Sequence, residues 1–140
     1  MASHGLPRQN HSPNMMNAAL EYAAQGWAVF PLCWPGANGK CACGWHRIHK
    51  GRDVGKAPHV KGGYHSATTD PAQIRAWWDK TPQANIGIAL AASGLVVVAP
   101  DNPEWLEIFL QRGLGNSLWA AQSGGGPGHF HFYYTRPDGW

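Results

Sequence analysis

The chain has 140 residues, 44% hydrophobic and only 14% charged, with a formal net charge of +3 and a pI of about 8.9. These totals suit one domain with one modest core and exclude a disordered acidic or basic tail. The mild positive charge is compatible with a phosphate-bearing partner without establishing one.

Eight tryptophans and eighteen glycines point to a core of large aromatics joined by tight turns. The three cysteines are an odd count, and Cys41-Ala42-Cys43 places two of them one residue apart. That argues against a disulfide framework and for a reducing cytoplasm. The opening residues, MASHGLPRQNHSP, lack the apolar run of a signal peptide. The apolar stretch Ala84–Pro100 is broken by glycines and a serine and is short for a membrane span, so no membrane partner is expected.

Residues 1–12 read as a flexible N-terminal arm and 13–140 as one domain. Ser12-Pro13 has the N-cap and first-turn residues of a helix, and Met16, Ala19, Leu20 and Ala23 give it an apolar face that ends at Gly26. Trp27–Leu32 reads as a short strand. Cys33 to Gly63 is a long region rich in Gly, Lys, His and Cys with no core pattern; a loop of this length is usually functional or held by something. Asp70-Pro71 starts a second helix, with Ile74, Trp77, Trp78 and Thr81 along one side and Pro82 as its stop. Ile86–Ala91 and Leu95–Ala99 flank Ser93-Gly94, which predicts a hairpin in mid-sheet with the valine run covered on both faces. Asn102 and Pro103 open a third helix reaching Arg112, with Trp105, Leu106, Phe109 and Leu110 as its apolar side. Ser117–Gln122 and His129–Thr135 read as strands joined by a glycine loop. The order implies an α+β sandwich, with helices packed on a mostly antiparallel or mixed sheet.

Three constellations hold chemistry. Cys41, Cys43, His46 and His49 offer the thiolates and imidazoles that zinc prefers, with Cys33 or His59 able to replace either histidine. Zinc would staple a loop that has no core of its own; the bland alternative is a set of reduced, unliganded side chains. In the glycine loop, Ser123, Gly124 and Gly125 let backbone N–H groups approach an anion, and His129 and His131 leave the same face of the following strand. Those histidines could meet a phosphate or join Asp101 around a metal; alternatively they lie on a solvated face and Asp101 only helps cap the third helix. Lys50, Arg52, Lys56, Lys61 and Arg136 form a cationic set suited to triphosphate or a nucleic-acid backbone, or to plain solvation.

Read together, ALEYAAQGWAVFPL at 19–32, GKAP at 55–58, SATTDPAQIRAWW at 66–78, ANIGIA at 84–89, SGLVVV at 93–98 and SGGGPGHFHFYY at 123–134 resemble the N-terminal domain of bifunctional DNA primase/polymerases, the prim-pol proteins of phages, plasmids and other mobile elements. The resemblance implies an archaeo-eukaryotic primase core with an RRM-like sheet and helices behind it. It implies template-dependent nucleotidyl transfer with DNA and nucleoside triphosphates as partners, a helicase domain or subunit as a further one, and Mg2+ or Mn2+ as cofactor. Two such metals stabilise the attacking and leaving oxygens together. In the family they sit on an Asp-x-Asp pair ending a central strand, plus a later acid. Here the pair falls on Ala99 and Asp101, so one ligand is missing, and the later acid would lie beyond Trp140, a domain truncated at its C-terminus. The phosphate-contacting histidine maps to His131, with His129 the alternative. Lys56, Lys61, Ser123, Gly124, Gly125, His129 and Arg136 follow as nucleotide- or DNA-binding residues. In zinc-bearing relatives the last ligand lies in Gly-Lys-His-Pro, where this chain has Ala57, so His59 would have to replace it. Two further readings stand beside the enzyme: a degenerate relative that binds nucleotide or single-stranded DNA without catalysis, and a zinc-stapled structural module.

Overall fold

The structure, a computed structural model, describes residues 14–44, 49–122 and 126–140. The chain divides into two compact units, Met1–Gly87 and Ile88–Trp140. The expected helix start at Ser12-Pro13 lies outside the described residues, and the cap is found at Asn14, whose side chain accepts from the Asn17 N–H at 3.1 Å.

In the first unit, α1 (Met15–Ala24) buries Ala19 and Ala23, four residues apart on one face. It packs on α2 (Pro71–Lys80) and on β1 (Val29–Leu32). Helix α2 begins where its capping chemistry says it should: Asp70 accepts from the Ala72 N–H at 3.0 Å and Pro71 occupies the first turn. Ile74 and Trp78 are fully buried, each a burial worth about 1.5–3 kcal/mol or more. The Trp78 indole N–H donates to the Ala84 carbonyl at 3.0 Å, so its one polar atom is satisfied in the interior. Strand β2 (Asn85–Ile88) pairs with β1. Gly87 permits the close fit, because a Cβ there would lie 2.6–2.9 Å from the Phe30 ring.

In the second unit, β3 (Leu95–Val98), β4 (Trp119–Gln122) and β5 (Phe130–Thr135) form an antiparallel sheet in the order β3-β5-β4. Helix α3 (Pro103–Gln111) starts at Asn102, whose side chain accepts from the Trp105 N–H at 2.9 Å. It lies against β5 through Phe109 and Phe132, with ring centroids 4.7 Å apart.

The α+β class is the one the sequence implies, but the strand pairing differs. Segments 86–91 and 95–99 do not form a hairpin: β2 pairs with β1, and β3 pairs with β5. The turn between them is real, with the Ser93 N–H and hydroxyl both donating to the Ala89 carbonyl, yet a turn does not choose a strand's partner. Strand β3 is therefore a sheet edge, and Val98 is 40% exposed rather than covered on both faces. The apolar side expected of α3 is also only partly buried: Phe109 is inside, Leu106 is half-buried, and Trp105 and Leu110 are exposed.

Candidate metal centre and candidate nucleotide site

The metal-binding group grows out of the end of β1. The Cys33 N–H donates to the Ala57 carbonyl at 2.7 Å and the His59 N–H to the Pro31 carbonyl at 2.9 Å, so residues 57–59 run beside the strand end. A small turn returns the chain: the Gly36 N–H donates to the Lys40 carbonyl at 2.7 Å and the Ala42 N–H to the Trp34 carbonyl at 2.9 Å. This brings Cys41 and Cys43 back to Cys33. His49 completes the set, with Nδ1 3.3 Å from Cys33 Sγ, 3.5 Å from Cys41 Sγ and 3.3 Å from Cys43 Sγ.

The four ligand atoms all lie within 4.8 Å of one another, and Cys33, Cys41 and His49 are buried. A tetrahedral zinc ion with bonds of about 2.3 Å to sulfur and about 2.0 Å to nitrogen puts its S···N edges near 3.5 Å, so the donor set and its spacing fit zinc. The Cys41 and Cys43 sulfurs, 2.9 Å apart, sit closer than that geometry, and no disulfide links them. Burial pushes the Cys33 thiol up, and the Cys43 and Cys41 sulfurs beside it push it further. Burial also works against ionisation of Cys41, but hydrogen bonds from Cys43, His49 and Cys33 outweigh it and lower that thiol to about 6. Three thiolates in contact repel unless a cation lies between them, and a zinc ion would remove that conflict.

Of the residues singled out in the sequence, Cys41, Cys43 and His49 come together with Cys33; His46 lies outside the described residues. His59 stands at the margin, with Nδ1 3.9 Å from Cys33 Sγ and its ring edge-on to Trp34 at 5.2 Å. Burial holds the His59 imidazole below its usual range, helped by His49 and Lys80. A neutral ring suits a partner that orients a ligand rather than one that repels the metal. Sequence reasoning ranked Cys33 only as an alternate. Its position directly after a buried strand was the available signal, since that is where a side chain is held most rigidly.

The second candidate lies on the three-stranded sheet. The pairing runs without a slip from Leu95↔Thr135 through Val98↔Phe132 to an isolated bridge between Asp101 and His129. The Phe130 N–H donates to the Pro100 carbonyl at 3.2 Å in the same register. Ala99 therefore lies across from His131, and strand alternation puts Ala99, Asp101, His129 and His131 on one face. Phe132, one step along β5, points to the opposite face, where Phe109 of α3 meets it. Gly128 allows the bridge to form. Its φ is +81°, and a Cβ there would fall 2.4 Å from Pro103 N and 2.6 Å from the Asn102 carbonyl carbon.

Capping of α3 falls to Asn102, not Asp101; among the described residues the Asp101 carboxylate accepts only from the Asn102 amide, at 3.5 Å. Asp101 is exposed and His129 and His131 are half-buried. Asp101 also borders a cavity of about 610 Å³ lined by Val98, Trp105, Phe109, Arg112 and Leu114. A pair of hard divalent cations needs several oxygen ligands. Asp101 offers one carboxylate and Ala99 none, so the residues present here do not by themselves fit a two-metal centre. Lys56 and Lys61 are exposed in the first unit, and Arg136 is exposed just past β5 in the second. Ser123, Gly124 and Gly125 lie outside the described residues.

Comparison with known families then places the chain. The description of the bifunctional DNA primase/polymerase N-terminal domain matches residues 19–140, and the chain belongs to that family. Comparison with curated proteins and with solved structures gave no match. Among the described residues, no helix is long and apolar enough to cross a membrane.

Proposed function

We propose that this is a primase/polymerase domain that binds a DNA template and nucleoside triphosphates and serves nucleotidyl transfer in replication of a phage, plasmid or similar mobile element, in the cytoplasm. The observation that supports this most is the register that sets Asp101 beside His129 and puts His131 on the same sheet face. His131 donates to the triphosphate, His129 lies next to it, and Asp101 is the one carboxylate here that would hold a divalent cation. Lys56, Lys61, Arg136 and the Ser123–Gly125 loop balance phosphate charge on nucleotide or template. The Cys33, Cys41, Cys43 and His49 group holds zinc as a staple of the long loop, apart from the chemistry.

A divalent metal, when bound, would supply charge stabilisation at the transferring phosphoryl group. Ala99 favours a second reading: a domain that keeps nucleotide or single-stranded DNA binding but transfers slowly or not at all, because one carboxylate of the pair is a methyl group. Template-directed incorporation of labelled nucleotide with Mg2+ or Mn2+ separates the two. Incorporation by the wild type supports the enzyme. Incorporation only by Ala99→Asp supports the second reading, and absence of incorporation together with absence of binding to nucleotide and to single-stranded DNA, in both proteins, would refute both.

A further inference from the structure

Tyr64 is one of the exposed aromatics among the described residues. It is 60% exposed and sits on a short 3-10 turn, Gly63–Ser66, within the glycine-rich loop. The neighbouring His65 ring stacks beside it, with centroids 4.1 Å apart and planes tilted by 35°. The pair is held out on a turn that is itself well fixed. Ser66 Oγ donates to the Lys61 carbonyl at 2.6 Å, the His65 N–H to the Gly62 carbonyl at 3.2 Å, and the Ala67 N–H to the Tyr64 carbonyl at 3.2 Å. Gly62, at φ +86°, makes the tight entry; a Cβ there would lie 2.6 Å from Ser66 Oγ. Both flanks of the turn are tied to β1, through Leu32↔Pro58 on one side and the paired Val29–Thr68 hydrogen bonds on the other.

The neighbouring sequence is cationic. Lys50, Arg52, Lys56 and Lys61 are exposed, and between residues 49 and 68 the sequence sets them against one carboxylate, Asp53. A rigidly presented aromatic face beside exposed lysines is the combination that holds single-stranded nucleic acid. The cations track the phosphates, and an unpaired base stacks on the ring whatever its identity. An apolar protein partner would need a contiguous apolar patch, and the residues around Tyr64, from Val60 to Ser66, are mostly Gly, Lys and His.

We infer that Tyr64, backed by His65 and flanked by Lys61, is a base-stacking platform for single-stranded DNA. The platform deepens the proposed function and rests on its claim that the domain engages a DNA template. The ring supplies stacking, and Lys61 supplies a phosphate contact sensitive to salt.

The test is fluorescence-anisotropy titration of the full chain with a labelled oligo-dT and with the same backbone made of abasic sites. Wild type, Tyr64→Ala, Tyr64→Trp and Lys61→Ala are compared over a range of salt. Tyr64→Ala should weaken binding to oligo-dT roughly 5- to 100-fold and leave the abasic backbone almost unaffected. Tyr64→Trp should keep or strengthen oligo-dT binding, and Lys61→Ala should weaken both ligands and reduce the salt slope. Equal loss on both ligands for Tyr64→Ala, or no loss on either, overturns the platform while leaving template binding intact. No binding of oligo-dT by the wild type overturns the template reading itself, and the platform with it.

Discussion

Among the described residues between 33 and 66, almost nothing is buried. The buried ones are Cys33, Cys41 and His49, all members of the proposed zinc group. Ordering a residue costs about 1–2 kcal/mol of backbone entropy, and apolar burial offsets little of it here. A structural zinc contributes an apparent 10–16 kcal/mol or so at neutral pH, a substantial offset to that cost. Cys33 is fully buried and its sulfur lies 3.3 Å from His49 Nδ1, so Cys33→Ser removes a direct ligand with little change in volume. Groups that merely orient a ligand cost about 10- to 100-fold in metal affinity when lost, so a direct ligand should cost at least about 100-fold. Metal content can be read by atomic emission and loop order by trypsin, because Lys40, Lys50, Arg52 and Lys56 are exposed cleavage points within the loop. Wild type should carry about one zinc per chain and resist trypsin there. Cys33→Ser, or wild type after chelation, should lose the metal and be cut at these residues while α2 stays intact. A metal-free wild type whose loop nonetheless resists trypsin would refute the reasoning.

Two further predictions concern the scaffold. Gly128→Ala must place a methyl group 2.4–2.7 Å from the Asn102–Pro103 backbone at a positive φ, so it should cost at least about 2 kcal/mol in urea unfolding and speed amide exchange at Phe130; unchanged exchange there would contradict the close approach. Trp78→Phe leaves the Ala84 carbonyl without its indole donor in a fully buried site, a loss of about 1–3 kcal/mol before any cavity is counted. A change below about 0.5 kcal/mol would mean that the hydrogen bond and packing are not as described.

Local signals were the legible part of this sequence. Asp70-Pro71 and Asn102-Pro103 each start a helix because the cap and the first-turn proline act within four residues. For α1 the asparagine side chain of Asn14 does the capping, and Ser12-Pro13 lies outside the described residues. Strand partnership was not legible, because Ser93-Gly94 does close a turn while the flanking strands satisfy their hydrogen bonds elsewhere. The exposure of Trp105 and Leu110 was equally hidden: periodicity says which residues share a helix face, not whether anything covers it. At the candidate sites, Cys41, Cys43 and His49 could be grouped by spacing alone. Cys33 joins them through the turn closed by the Trp34–Ala42 and Gly36–Lys40 hydrogen bonds, which folds the chain back onto the end of β1. Asp101 and His129 are neighbours for a similar reason, through a register fixed by β3 and β5.

The measurement closest to the central claim is nucleoside triphosphate binding in the presence of Mn2+, comparing wild type with His131→Ala. A hydrogen bond to a charged phosphate is worth about 1.5–3 kcal/mol, so the variant should bind roughly ten- to a hundredfold more weakly, with its urea midpoint unchanged. Equal affinity for the two proteins would contradict the assignment of the Asp101–His131 face to the nucleotide.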